Sequence, residues 1–150
     1  MANWQQIEKD APEFARRVQA RFDAGTNKTI ATLRADGSPR ISGSELDFKD
    51  GEITLGMMAD SRKLADVRRD PRVAIHCPTL EPPKEGWEGD AKLSGRVVDA
   101  AQPEGFPYPD AGYFRIDVTE VALTYVGTPA DHLVIESWSE RNGYQRRTRA

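Results

Sequence analysis

The sequence predicts a mainly β protein, a β-barrel with flanking helices. Three observations carry this. Six or seven segments read as strands, with alternating or β-branched apolar residues. Two Asp-Gly pairs, Asp36-Gly37 and Asp50-Gly51, mark tight hairpin turns between such segments. Helical spacing is confined to one N-terminal stretch and one short stretch in mid-chain. Hairpins make antiparallel neighbours, and an antiparallel sheet removes its exposed edges by closing on itself.

The elements follow in order. Asp10-Ala11-Pro12-Glu13 reads as a helix start, with Asp10 as N-cap, Pro12 in the first turn and Glu13 completing a capping box. Phe14, Val18 and Phe22 then recur at helical spacing, Ile7 lies one heptad before Phe14, and Gly25 reads as the C-cap. Lys28 to Arg34 is the first strand, and Asp36-Gly37 turns it into a second strand over Pro39 to Phe48. Asp50-Gly51 leads into a third, Glu52 to Met58. A short helix spans Arg62 to about Arg69, with Leu64 and Val67 facing inward. Asp70-Pro71 ends it, because a residue before proline avoids helical geometry. Arg72 to Cys77 is a fourth strand and Asp90 to Val98 a fifth.

Tyr113 to Tyr125 is the longest strand, and its alternation slips by one residue near Thr119-Glu120, as at a bulge. His132 to Trp138 is the last strand. Thr79 to Gly89 and Ala101 to Gly112, rich in proline and glycine, are loops. The expected organisation is one domain over 1–150, with a helical N-terminal segment (1–26) and a polar, basic tail (139–150).

Composition narrows the function classes. The 150 residues are 38% hydrophobic and 30% charged, with a net charge of -3. Such a balance gives no general attraction to nucleic acid or to an anionic membrane. No apolar run approaches the roughly 20 residues of a membrane helix. A single cysteine, Cys77, and no signal-like apolar stretch in Met1 to Asp10 suit a cytoplasmic protein. His76 and His132 lie far apart without ligand spacing around them, so no metal site is expected.

The most informative stretch is Ser61-Arg62-Lys63, which opens the short helix. Unpaired N–H groups and the positive end of the helix dipole suit an anion such as a phosphate. Ser61 also fits a plain N-cap and the two cations a solvated surface.

The order of parts resembles the pyridoxamine 5′-phosphate oxidase-like flavin-binding split-barrel family. Asp36-Gly37-Ser38-Pro39-Arg40 looks like its first hairpin. Ser61-Arg62-Lys63 followed by Asp70-Pro71-Arg72-Val73 looks like its phosphate-binding turn and next strand. The resemblance runs from about Lys28 to Val98.

It implies a homodimeric split β-barrel of the FMN-binding type, with cofactor sites at the subunit interface. By position, Arg40, Ser61, Arg62 and Lys63 would hold the flavin phosphate, and Ile41, Ser42 and Gly43 would run beside the ring. Met57 fits either a lining of the ring pocket or a core filler, and Trp138 would stack at the mouth or serve simply as interface packing. Gly43 also fits a bulge.

The true vitamin B6 oxidases carry a lysine a few residues after the strand arginine, where this chain reads Ser42-Gly43-Ser44-Glu45. Their C-terminal Arg-Leu-His-Asp-Arg run is absent here. The chain looks more like the branch whose members use FMN or the deazaflavin coenzyme F420. The implied activity is hydride transfer between FMN, or F420 as alternative, and a small organic molecule. The other class left open is a non-catalytic flavin- or haem-binding, stress-related protein. No catalytic residue can be named, since the flavin carries the redox chemistry.

Overall fold

The computed structural model describes residues 2–150. The N-terminal stretch forms two helices instead of one, α1 (Trp4–Asp10) and α2 (Pro12–Asp23). The break falls where the sequence placed a helix start. Pro12 forces the preceding Ala11 out of helical geometry, to φ -150 and ψ 73. Asp10 is therefore the last residue of α1 and not a cap. Ala11 is the N-cap of α2 and offers no side-chain hydrogen bond, while Glu13 pairs with Arg16 at 2.9 Å. The C-cap is Ala24, not Gly25. The apolar stripe holds: Phe14, Val18 and Phe22 are buried with Trp4 and Ile7.

Nine strands follow: β1 (Lys28–Leu33), β2 (Pro39–Ser44), β3 (Asp47–Lys49), β4 (Glu52–Met57), β5 (Arg72–His76), β6 (Asp90–Asp99), β7 (Gly112–Val126), β8 (Leu133–Ser139) and β9 (Gly143–Arg149). One short helix, α3 (Arg62–Arg69), separates β4 from β5. The predicted second strand breaks in two at Glu45-Leu46, so its last part, β3, pairs with β4 instead of β1. Both Asp-Gly turns form. Asp50 and Gly51 take φ 53 and 77, the paired positive values of a two-residue hairpin loop.

All pairings are antiparallel, in the order β2-β1-β5-β6-β7-β4-β3, with β8 on β7 and β9 on β8. β7 organises this arrangement. Along one edge it pairs with β6; along the other, β4 takes its first residues and β8 its last. The barrel splits where that second edge changes partner. The register slip lies between Ser94 and Gly95, opposite Thr119, whose hydroxyl donates to the Ser94 carbonyl at 3.1 Å. Only glycine fits beside it, because a Cβ on Gly95 would sit 2.2 Å from the Asp117 carbonyl oxygen.

The two helices close one end of the core. Trp4 and Phe22 both pack on Phe48, with centroids 5.2 and 5.6 Å away. A buried carboxylate, Glu136 on β8, ties α2 to three strands. Arg17 grips it with both terminal nitrogens, and the hydroxyls of Tyr125 and Tyr144 donate to it. Tyr144 belongs to β9, so the tail read as polar and basic is an ordered edge strand. Its seven residues lie largely exposed, and regular pairing with β8 orders them despite their polarity.

Glu136 shows what this clasp contributes. Burial pushes its carboxyl up, but the hydrogen bonds from Arg17, Tyr125 and Tyr144 together outweigh it and hold the group at about 2 against an ordinary 4.5. A depressed value means stability present above 4.5 and lost as pH falls toward 2. Glu136→Gln should lower unfolding free energy in urea by about 2 kcal/mol at neutral pH, allowing for the water that still reaches Arg17. The gap between the two proteins should close as pH drops through that window.

Candidate functional site

The site grows from the alternation of β2. Its register with β1 is unbroken from Lys28↔Ser44 to Leu33↔Pro39, so Gly43 is not a bulge residue. Pro39, Ile41 and Gly43 face outward, and Ile41 is 74% exposed. Arg40, Ser42 and Ser44 face the other way, which separates Ser42 from the outward row. A Cβ on Gly43 would meet nothing within 4 Å, and its φ is not positive. Neither packing nor backbone geometry requires glycine here, so the residue leaves open space over the strand.

The second wall is the start of α3. Ser61 is the N-cap, accepting from the Leu64 N–H at 3.3 Å and donating to the Met58 carbonyl at 2.8 Å. Its hydroxyl is thus committed to closing the turn. Lys63 reaches back across the opening and donates to the Gly43 carbonyl at 2.7 Å. Burial pushes its ammonium below the ordinary lysine value, so an anion placed there would restore charge lost to desolvation. Arg62 is exposed and has no partner among the described residues.

Beneath both walls lies Asp66 of α3, 2% exposed. Its carboxylate accepts from Arg40 Nε at 2.7 Å, Thr32 Oγ1 at 2.7 Å and Arg69 Nη2 at 3.1 Å. These bonds hold it at about 2, below the ordinary 3.8. Arg40 is therefore anchored to α3, with Nη1 left without a protein partner among the described residues. Asp66 carries no mark in the sequence, because Arg40 and Thr32, which join it to the strands, lie 26 and 34 positions away.

Between the walls opens a cleft of about 320 Å³. Gly43, Met57 and Lys63 line it, joined by Glu45 and by Phe106 and Tyr108 from the loop before β7. Met57 is also a core residue, 1% exposed. The Ala101 to Gly112 loop was expected to shape the pocket, but neither of these two rings was singled out in it.

Trp138 is corrected outright: it is 3% exposed and its indole N–H donates to Asp10 at 3.0 Å. It is a core residue joining β8 to α1, without a ring face for a ligand. Trp87 lines a separate groove between the 82–87 and 126–130 segments. Neither histidine lines the cleft. His76, Cys77 and Asp90 do come together, with ligand atoms within 4.8 Å of one another, a cluster that histidine spacing alone conceals.

Antiparallel split barrel, capping helices and cleft define the class: the chain has the split-barrel fold of the pyridoxamine 5′-phosphate oxidase-like proteins. Over 97% of this chain and 92% of the other, it superposes on PhzG from Burkholderia lata, a structure in complex with tetrahydrophenazine-1-carboxylic acid, with TM-score 0.66 and 11% identity. A provisional pyridoxamine 5′-phosphate oxidase from Listeria innocua matches at TM-score 0.58 and 12% identity, covering 72% of this chain and 95% of that one. An F420 reductase matches at 0.53 and 13%, covering 69% and 94%. At these identities the likeness is one of fold. No family model matches the chain, and neither does any curated protein sequence.

Asp66→Ala should leave Arg40 and Thr32 without their acceptor and cost about 3 kcal/mol of stability, read by chemical denaturation. Asp66→Asn should cost less at pH 7, and its deficit should shrink as pH falls from 3.8 toward about 2, where the native carboxyl protonates.

Proposed function

We propose that this chain is a flavin-dependent oxidoreductase that holds FMN in the cleft between β2 and the start of α3. The observation that carries the reading is Gly43: an outward strand glycine that the fold itself does not need, beside a half-buried lysine and an unpaired arginine. The donor set fits the cofactor. Lys63 gives a point charge and Arg62 a guanidinium fork to a phosphate, next to the free N–H groups that open α3. Arg40, fixed by Asp66, keeps Nη1 for the same phosphate. Gly43 lets a flat ring lie against the strand, with Ile41 as its apolar neighbour and Met57 behind. When bound, the flavin supplies the hydride chemistry with a small organic molecule. What the chain adds is binding, orientation and exclusion of water.

The active form is a homodimer. Ile41 and Pro39 on β2, with the outward Ala31 and Leu33 of β1 and Ala74 of β5, make an apolar face fit for a second copy of this chain. A site lined by β2 would then be finished by the partner. The likeness to an F420 reductase supports the deazaflavin as the alternative to FMN.

Purified protein should load FMN and turn yellow, and parallel titration with F420 decides between the cofactors. A chain that takes up neither would overturn the reading. Bound flavin that no nicotinamide or deazaflavin donor can reduce would mark a carrier instead of an enzyme. The double variant Arg62→Ala, Lys63→Ala should lose about 100-fold in FMN affinity, two charge-assisted contacts, and much less for riboflavin, which lacks the phosphate. Equal losses would refute the phosphate role.

A further inference from the structure

We propose that the loop over residues 100–111 is the substrate-selecting wall of the cleft, and that it admits planar aromatic molecules bearing positive charge. The proposal rests on the cofactor reading above, which commits Lys63 to a phosphate. Among the described residues lining the cleft, Glu45 is then the one remaining charged group. It is exposed, and its carboxylate has no protein partner among them.

The rest of that side is aromatic. Phe106 sits edge-on to Tyr108 and Tyr113, with centroids 6.0 and 5.4 Å away. Tyr108 is 51% exposed at the opening. Ring faces carry negative electrostatic potential and draw cations, most strongly where water is excluded. A carboxylate beside them acts in the same sense, and it repels an anionic substrate. Flat shape is selected because Met58, 55% exposed, and the Phe106 and Tyr108 rings present flat or pliable apolar surface rather than a deep polar pocket.

The wall is built in advance. Gln102 Nε2 lies 3.1, 3.2 and 3.1 Å from the carbonyls of Tyr108, Pro109 and Ala111, gathering the loop around one amide. Pro103, Pro107 and Pro109 restrict the backbone further. Across the cleft, Gly56 makes room: a Cβ there would come within 3.1 Å of the Phe106 ring. Gln102 touches neither cofactor nor substrate and is a positioning residue.

Two probes sharing one ring system test this by calorimetric titration of flavin-loaded protein: N-methylacridinium and acridine-9-carboxylate. The wild type should bind the cation about tenfold more tightly. Glu45→Gln should abolish most of that preference, and Tyr108→Ala should weaken the cation chiefly. Gln102→Ala should weaken it too and speed amide exchange across 103–111, with FMN affinity and melting midpoint unchanged; a merely structural glutamine would lower the midpoint. Equal affinity of both probes for the wild type, or an intact preference in Glu45→Gln, would overturn the proposal. Flavin loading is read separately from visible absorbance. Where it fails, the cofactor reading falls alone, and the same titrations on flavin-free protein in excess inorganic phosphate still decide the charge preference.

Discussion

Asp66 is the constraint on which the cleft depends. A buried carboxylate is costly unless its lone pairs are filled, and here three side chains from three places fill them: Thr32 on β1, Arg40 on β2 and Arg69 on α3 itself. The same atoms therefore fix the helix against both strands of the first hairpin. Since Lys63 stands one turn before Asp66, its reach to the Gly43 carbonyl is set by that anchor. The two walls of the cleft are thus placed by electrostatics at its base, and the space between them follows.

Elsewhere the fold divides its labour. β7 supplies continuity, with β6 along one side and two successive partners along the other. The slip at Thr119 turns the strand, and Gly95 admits the Asp117 carbonyl at a distance no side chain tolerates. At the far side, Glu136 repeats in another key what Asp66 does for the cleft. It binds α2, β7 and β9 through one buried charge, and Arg17 lies over the Tyr125 ring at 5.8 Å as it does so. Both devices are acidic residues that join separate elements through their partners, and neither lies in the cleft.

That pattern explains what could be read from the chain. Local rules worked where local forces decide: the Asp-Gly hairpins, the inward Leu64 and Val67 of α3, the end of that helix at Asp70-Pro71 and the slip near Thr119 all emerged as expected. They failed where tertiary partners decide. Asp10 looked like a cap, yet Pro12 moved the boundary and left Asp10 to accept from Trp138 across the molecule. Trp138 looked exposed because charged residues surround it in sequence, but strand alternation buries it. β9 carries no apolar periodicity at all; it is a strand because β8 offers it a ladder. Of the cleft lining, Gly43, Met57 and Lys63 were legible, while Phe106, Tyr108 and the anchor Asp66 beneath it were not. A carboxylate's partners and a loop's curvature have no local signature.

The strand β9 has one more consequence. It is the last in its series and pairs with β8 alone, so one row of its peptide groups faces outward without a strand beside it. Arg146, Arg147 and Arg149 stand exposed on that strand. Two such rims brought together would set arginine against arginine, and that repulsion opposes extension of the sheet from molecule to molecule along this edge. The apolar outward face of β2 carries no such guard.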